Sequence, residues 1–138
     1  MVKLQHIEID TRGKDDMVDI SERVAEIVAG SGAVNGQALI FVEGSTGGLS
    51  TIEYEPGLIA DFPALMDKLV PAGKTYCHDQ TWHDGNGHAH LRATLIGPSL
   101  TVPFAQKRML LGTWQQIVFL EFDIRPRRRR LAVQVTGE

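Results

Sequence analysis

The apolar residues change their period several times along the chain, and these changes restrict the folds that the chain can adopt. They alternate as in a strand over residues 3–11 and then recur at helical spacing over residues 17–28. A short apolar run at 37–43 is typical of a central strand, and a second helical pattern spans 58–69. Several strand patterns follow. This order favours an α+β fold with a mainly antiparallel or mixed sheet and two helices packed on one side.

The chain has the size and composition of one globular domain. It contains 138 residues, of which 43% are hydrophobic and 22% charged, and this is enough for a core of its own. No repeat, low-complexity tract or linker divides it, so we expect a single domain over residues 1–138. A net charge of −3 argues against nucleic-acid binding. We see no secretory signal and no apolar segment of membrane-spanning length, so we expect a cytoplasmic protein without a membrane partner.

Residues 76–92 concentrate side chains that can bind metals or act in catalysis. Histidines scattered by chance would rarely crowd into so short a stretch, so we interpret it as a candidate metal site. The alternatives are hydrogen-bonded interface residues and solvent-facing loop residues. The one cysteine of the chain, Cys77, also lies here, and we expect it to be a buried structural thiol. The stretch contains four of the five histidines, namely His78, His83, His88 and His90, together with Asp79, Asp84 and Asn86.

The apolar pattern over residues 89–96 alternates as in a half-buried strand. Alternate side chains of a strand share a face, so His88, His90 and Arg92 are expected to project together. A third imidazole from the preceding loop, His78 or His83, completes a three-histidine site with an open position, and we favour His78. Such a site suits zinc, with magnesium or manganese as alternatives.

A glycine-rich segment at residues 44–48 follows the apolar run at 37–43. Small residues at the end of a buried strand let backbone N–H groups approach an anion. We therefore predict that Ser45, Thr46 and Gly47 bind a phosphate, with Arg92 as a cation beside it. The segment lacks the lysine of a P-loop, and the alternative is a strand-to-strand loop with unusual dihedral angles.

Carboxylates and an arginine run supply the remaining candidates. Glu53 and Glu55 share a face if their strand is regular, where they form either a metal ligand with a general base or a solvated edge. Glu121 lies in a long apolar run that we expect to be buried on both faces. The arginine run at residues 125–130 can contact RNA, phosphate or an acidic subunit, but such runs are more often solvated hairpin connections.

Several of these elements, taken in order, resemble the YjbQ family, whose members are described as secondary thiamine-phosphate synthases. The resemblance implies a compact cytoplasmic α+β homotrimer with a site near subunit contacts. It also implies a reaction that couples a pyrimidine diphosphate with a thiazole phosphate. The match covers nearly the whole chain and is most specific in His-Ala-His-Leu and Leu-Gly-Thr-Trp-Gln. The matching stretches are Asp-Gly-Asn-Gly-His-Ala-His-Leu-Arg-Ala-Thr-Leu-Ile-Gly-Pro-Ser at 84–99, Thr-Val-Pro at 101–103, Leu-Gly-Thr-Trp-Gln at 111–115, Glu-Phe-Asp at 121–123 and the arginine run.

One element departs from the family pattern. Many members carry His-Thr-Ser or His-Thr-Thr after the central strand, where this chain has Gly44, Ser45 and Thr46. The two hydroxyls are kept and the histidine is replaced. The histidines of residues 78–90 therefore have to supply more of the site in this chain.

The expected enzyme holds two phosphorylated partners and neutralises the departing pyrophosphate. A divalent metal on His78, His88 and His90 acts together with Arg92 and the 44–48 segment. The alternative is a metal-binding or ligand-binding module without turnover. The candidate catalytic residues, which we expect to orient the ligands, are Glu53, Gln115 and Glu121.

Overall fold

Two antiparallel sheets and four helices make up the fold, and the computed structural model describes all residues 1–138. The five-stranded sheet has the order β1-β8-β3-β5-β6, and the three-stranded sheet has the order β2-β7-β4. The elements are β1 (Val2–Thr11), β2 (Met17–Asp19), α1 (Ser21–Gly30), β3 (Gly36–Val42), β4 (Gly47–Ile52), α2 (Pro56–Leu69), α3 (Cys77–Trp82), α4 (Gly87–Ile96), β5 (Ser99–Ala105), β6 (Arg108–Met109), β7 (Gln116–Glu121) and β8 (Arg127–Gly137).

The long pairing of β1 with β8 sets the register of the larger sheet. It runs from Val2 opposite Thr136 to Thr11 opposite Arg127. Strand β3 pairs with the other edge of β8, and Ile40 lies opposite Val133. Because alternate residues of a strand point to one face, most inward positions of these strands are apolar and buried, and Thr11 and Arg129 are the buried polar exceptions at one end of the pair. Residues 127–130 of the arginine run form the start of β8, and residues 125–126 lie in the connection before it.

The main core lies between the two sheets and is closed by α1. Val24 and Val28 of α1 are fully buried against it, at the helical spacing that the sequence predicts. Phe119 of β7 contributes from the smaller sheet. A second cluster packs the smaller sheet against α2 and α4, where Met66, Ala89 and Ala93 meet β7. The site described below lies along α4, at the edge of this second cluster.

The α+β fold and the single compact domain are confirmed, but the prediction of a strand over residues 89–96 is wrong. These residues belong to α4, which buries His88, Ala89, Arg92 and Ala93 at helical spacing. The prediction failed because Leu91 and Leu95 are exposed on the helix, where their spacing imitates the alternation of a strand. Gly48 lets β4 lie close to α4, because a Cβ there would come within 2.9 Å of Ile96.

Two further features differ from the prediction. The structure has four helices rather than two, because residues 77–82 form the short helix α3 and residues 87–96 form α4. The carboxylate of Asp79 fixes its first turn by accepting from the backbone N–H of Tyr76 at 2.9 Å and from that of Gly87 at 3.0 Å. The prediction of a buried thiol is also wrong, since Cys77 is exposed at the start of α3. None of the four helices has the length and apolar character needed to cross a bilayer.

Candidate functional site

A cavity of about 240 Å³ lies where the segment before β4 meets α4. Backbone and small side chains form one wall, and α4 forms the other. Its lining combines one imidazole and two hydroxyls with apolar groups, as in many small-ligand sites. The lining residues are Gly44, Ser45, Gly47, His90, Ala93, Thr94 and Pro98.

Gly47 in this wall is needed for packing, in addition to the phosphate-binding role that the sequence predicts. A Cβ on Gly47 would lie 2.4 Å from Cζ of Phe119, which is buried in the core. Gly47 therefore allows β4 to pack on the Phe119 ring. Gly47 also lines the cavity beside Ser45.

His78 and His90 form a pair next to this cavity. Their ring centroids are 4.4 Å apart, with the planes inclined by 50°. His78 lies on α3 and His90 on the first turns of α4, so the loop between the helices brings the two rings together. Two imidazoles in contact beside an open cavity can hold an anion when protonated, or a metal ion when neutral.

The side chains of the α3–α4 loop surround the outer edge of the His78 ring. The Asn86 amide lies 3.0 Å from Nε2 of His78, and Oδ1 of Asp84 lies 3.3 Å from the same nitrogen. Asp84 and Asn86 also line a second cavity of about 230 Å³, together with Asp123, Ile124 and Arg125. His78 is thus placed between the α4 cavity and this polar cavity.

A buried polar network supports the cavity wall from behind. The Asp123 carboxylate accepts from Oγ1 of Thr46 at 3.1 Å and from the backbone N–H of Ile124 at 2.8 Å. Arg127 and the amide of Asn86 also donate to it. Burial raises the pKa of Asp123, but these hydrogen bonds together outweigh burial, so its pKa lies below the ordinary value.

The chain matches, over residues 5–138, the family described as UPF0047 protein YjbQ-like. The chain belongs to the YjbQ-like family. A UPF0047 protein of Archaeoglobus fulgidus is 41% identical over 126 residues, which are 91% of this chain and 95% of the relative. YugU of Bacillus subtilis, also a UPF0047 protein, is 32% identical over 136 residues, which cover 97% of this chain and 99% of YugU.

Solved structures agree with this assignment. The crystal structure of a YbjQ-like protein of unknown function from Sulfolobus solfataricus, SSO2532, superposes with a TM-score of 0.90 at 32% identity and full coverage of both chains. The hypothetical protein APE1520 of Aeropyrum pernix also gives a TM-score of 0.90, at 32% identity with 99% of both chains covered. The fold of this YjbQ-like chain is therefore that of its family.

The YjbQ-like fold brings together four of the ten site residues that the sequence singles out. Ser45, Gly47 and His90 line the α4 cavity, and His78 contacts His90. Sequence reasoning assigned no role to Asp123 and missed Thr94 in the cavity lining. The Thr94 side chain follows His90 by one helical turn, a spacing that a helical reading of residues 89–96 would have revealed.

His88 lies apart from the other two predicted ligands. It is two residues before His90, and on a helix this separates the side chains by about 200° around the axis. His88 is only 2% exposed, and its Nε2 has no hydrogen-bond partner. Burial, followed by the charges of Arg92 and Lys14, lowers the pKa of His88. No group of three or more His, Cys, Asp or Glu side chains in the chain is positioned to hold a metal ion.

Arg92 and Thr46 face the interior rather than the cavity. Arg92 is 1% exposed; its Nε donates to the carbonyl of Val70 at 3.0 Å, and its Nη1 lies 3.3 Å from Oδ1 of Asp15. Thr46 is buried, and its hydroxyl accepts from Arg129 at 2.8 Å while donating to Asp123. Both side chains are already occupied by structural partners.

The three predicted catalytic residues also lie away from the cavity. Glu121 is 1% exposed and pairs with Arg129, which donates to it from Nε at 2.8 Å. Glu53 is exposed and follows the far end of β4, about 20 Å along the strand from Gly47. Gln115 donates from Nε2 to Oγ1 of Thr51 at 3.1 Å, and it lines a separate cavity of about 560 Å³ between α1 and β6.

Proposed function

We propose that the protein is an enzyme that binds a phosphorylated heterocycle in the α4 cavity. The observation that carries this proposal is the convergence of Ser45 and His90 on one cavity, with the His78 ring 4.4 Å from that of His90. The family resemblance supplies the reaction, which is thiamine-phosphate synthase chemistry. A pyrimidine diphosphate and a thiazole phosphate are its two substrates.

The reaction needs positioning and charge neutralisation more than covalent help from the protein. The thiazole nitrogen forms a bond to the pyrimidine methylene carbon, and the bond from that carbon to the diphosphate oxygen breaks. Pyrophosphate leaves with the bonding electron pair. Preorganised donors that face the departing oxygens stabilise this charge. In this chain the His90 imidazole and the Ser45 hydroxyl line the cavity and can donate, with the His78 imidazole beside them. The Thr94 hydroxyl also lines the cavity, but it already donates to the carbonyl of His90 at 2.9 Å.

The cavity suits one of the two substrates. Its volume is about 240 Å³, which is below the ~300–1,000 Å³ of pockets that enclose drug-sized ligands. Ala93 and Pro98 offer apolar contact for a flat ring, while Ser45 and His90 face the phosphate. The second substrate then approaches from the open side of the cavity.

A divalent metal, zinc first and magnesium or manganese as alternatives, belongs to this proposal. His78 and His90 are the imidazoles of one chain that lie together and can contribute to holding it, whereas His88 lies elsewhere. When bound, such an ion neutralises phosphate oxygens. The two imidazoles are too few for the predicted three-histidine site, so further ligands are required.

We also propose that the protein is a cytoplasmic homotrimer, as the family resemblance implies. Large apolar side chains on the surface support an assembly, because Trp114 is 71% exposed and Leu110 61% exposed. Native mass spectrometry is expected to give three times the 15.2 kDa mass of one chain. A single-chain mass at micromolar concentration would contradict the assembly.

A turnover assay with matched variants tests the proposed function. Wild-type protein is expected to form thiamine phosphate from the two substrates and to bind it in calorimetry more tightly than other phosphorylated heterocycles. His90→Gln should lower turnover by at least tenfold. His83→Asn is the control, because His83 is exposed and has a positive φ of 57° that asparagine tolerates. The proposal would be contradicted if the protein formed no product and bound none of these ligands more tightly than the others.

A second candidate is a ligand-binding module without turnover. It is favoured by the placement of Glu53, Gln115 and Glu121, because none of these predicted catalytic side chains lines the cavity. Binding of thiamine phosphate that depends on His90, combined with no product formation, would select this candidate over the enzyme.

A further inference from the structure

Arg129 lies behind the glycine-rich segment at residues 44–48, which forms one wall of the α4 cavity. The side chain is buried, with 3% of the residue exposed, and its Cζ lies 5.6 Å from the centroid of the Phe119 ring. Its Nη2 donates to Oγ1 of Thr46 at 2.8 Å. A buried cation is therefore in contact with the segment where the sequence predicts a phosphate site.

The ion pair with Glu121 uses one side of the Arg129 guanidinium. Nε donates to Oε2 of Glu121 at 2.8 Å, and Nη2 donates to Oε1. A guanidinium has five N–H donors, and the bonds to Glu121 and Thr46 use those of Nε and Nη2. The two N–H groups of Nη1 have no hydrogen-bond partner in the chain.

Nη1 of Arg129 can be reached from outside the protein. Nε2 of His88 is the one fully enclosed side-chain atom that lacks a partner, so the unpartnered Nη1 retains access to solvent. Polar groups of buried side chains nearly always have a hydrogen-bond partner. We therefore expect Nη1 to meet an acceptor that does not belong to the chain.

Gly44 provides the approach from the α4 cavity to Nη1. Gly44 lines this cavity, and a Cβ added to it would lie 3.0 Å from Nη1 of Arg129. The φ of Gly44 is not positive, so the backbone does not require glycine at this position. The missing side chain leaves Nη1 uncovered on the side of residue 44.

We infer that Nη1 of Arg129 donates to a phosphate oxygen of the ligand in the α4 cavity. The planar guanidinium suits phosphate oxygens. Because Glu121 balances the charge of Arg129, Nη1 contributes directed hydrogen bonds more than net positive charge. Ser45 and His90 line the same cavity and supply the neighbouring polar groups. Arg129 thus takes the role that the sequence assigned to Arg92, whose side chain faces the interior.

This role of Arg129 rests on the proposed function for the identity of the ligand. It adds the orientation, because the phosphate group then lies at the Gly44 end of the cavity. Inorganic pyrophosphate, the leaving group of the proposed reaction, carries the same kind of oxygen without a heterocycle. Its binding can be measured without turnover.

Calorimetric titration of the full chain with inorganic pyrophosphate tests the site. Wild-type protein is expected to bind about one pyrophosphate per chain. Gly44→Ala should weaken this binding by at least tenfold, because the added methyl group covers Nη1. Gly73→Ala is the matched control, since a Cβ there meets nothing within 4 Å. Thermal melts confirm that both variants are folded.

A second measurement separates contact with Arg129 from simple narrowing of the cavity by the methyl group. In ¹H–¹⁵N spectra of the arginine side chains, pyrophosphate should shift the Nη1 signals of wild-type Arg129. The signals of Arg128, which pairs with Glu8 on the surface, should remain unchanged.

Three results would each overturn the role of Arg129: no saturable pyrophosphate binding, wild-type affinity in Gly44→Ala, or saturation that leaves the Arg129 signals unshifted. The turnover assay judges the proposed function separately. Product formation with unshifted Arg129 signals would keep the proposed function and remove this phosphate contact. Shifted Arg129 signals without product formation would keep the contact and remove the enzyme.

Discussion

Thr46 donates a hydrogen bond from Oγ1 to Oδ2 of Asp123 at 3.1 Å, and this bond ties the segment beside the α4 cavity to the end of β7. The same hydroxyl accepts from Arg129 at 2.8 Å. Asp123 also lies 3.5 Å from the Asn86 amide nitrogen, on the other side of the site. The wall behind Ser45 and the loop around His78 are therefore held by one buried network.

Replacing Thr46 by valine should destabilise the protein and weaken ligand binding. The change keeps the shape but leaves a donor of Arg129 and one lone pair of Asp123 without a partner. We expect the free energy of unfolding to fall by about 1–3 kcal/mol, measured by urea denaturation. Thr101→Val is the control, since Thr101 is exposed on β5. Equal denaturation midpoints for both variants would contradict the role of the Thr46 hydroxyl.

Replacing Glu121 by glutamine should have a large structural effect. The carboxylate is fully buried, pairs with Arg129 and accepts from Thr11 at 2.7 Å. Removing one charge of a buried pair leaves the other uncompensated, so we expect a loss of about 3 kcal/mol or more in the free energy of unfolding. Chemical denaturation measures it. Glu8→Gln is the control, because its pair with Arg128 is on the surface and should contribute little. Unchanged stability in Glu121→Gln would contradict this structural role and would leave Glu121 as a catalytic candidate.

Stability should fall as the pH is lowered below about 6.5, the ordinary pKa of histidine. Burial lowers the pKa of His88 in the folded protein. Between that lowered pKa and 6.5 the unfolded chain binds more protons, so unfolding becomes easier as pH falls. One such group changes stability by at most about 1.4 kcal/mol per pH unit. Urea denaturation at pH 7.5 and 5.5 measures the change. His88→Leu should flatten this dependence, whereas His83→Asn should retain it. An equal slope in His88→Leu would show that other groups cause it.

Adding a methyl group at Gly47 should disturb the packing of β4. A Cβ there would approach Cζ of Phe119 to 2.4 Å. We expect Gly47→Ala to cost about 1–3 kcal/mol in the free energy of unfolding, and we expect Phe119→Leu to recover part of that loss in the double variant. Gly30→Ala is the control, because a Cβ at Gly30 meets nothing within 4 Å. Thermal melts of wild type, Gly47→Ala, Phe119→Leu, the double variant and Gly30→Ala measure whether Gly47→Ala costs less in the Phe119→Leu background than in wild type. A cost that Phe119→Leu does not reduce would contradict the contact.

The sequence predicted the fold class because strand and helix periods dominate most of the chain. Val24 and Val28 show this, since their helical spacing matches their burial on α1. The pattern failed over residues 89–96, where exposed Leu91 and Leu95 imitate the alternation of a strand. Hydrophobicity alone does not distinguish an exposed leucine on a helix from a buried one on a strand.

The candidate site was predicted in part because its residues are local in sequence. His78 and His90 come together through the short loop between α3 and α4, and the crowding of histidines indicated that region. The burial of Glu121 depends on Arg129, eight residues later on the neighbouring sheet, and no local pattern reveals that pairing. The bond between Thr46 and Asp123 joins residues separated by 77 positions, so sequence reasoning had no signal for it.

The central claim is that the α4 cavity holds a phosphorylated heterocycle, and the most direct measurement is a ¹H–¹⁵N titration with thiamine phosphate. We predict saturable shifts that are largest at the backbone amides of Ser45, Gly47 and His90. The same titration of His90→Gln should require at least tenfold more ligand. Shifts confined to residues around the cavity between α1 and β6, or no saturable shifts at all, would contradict the account.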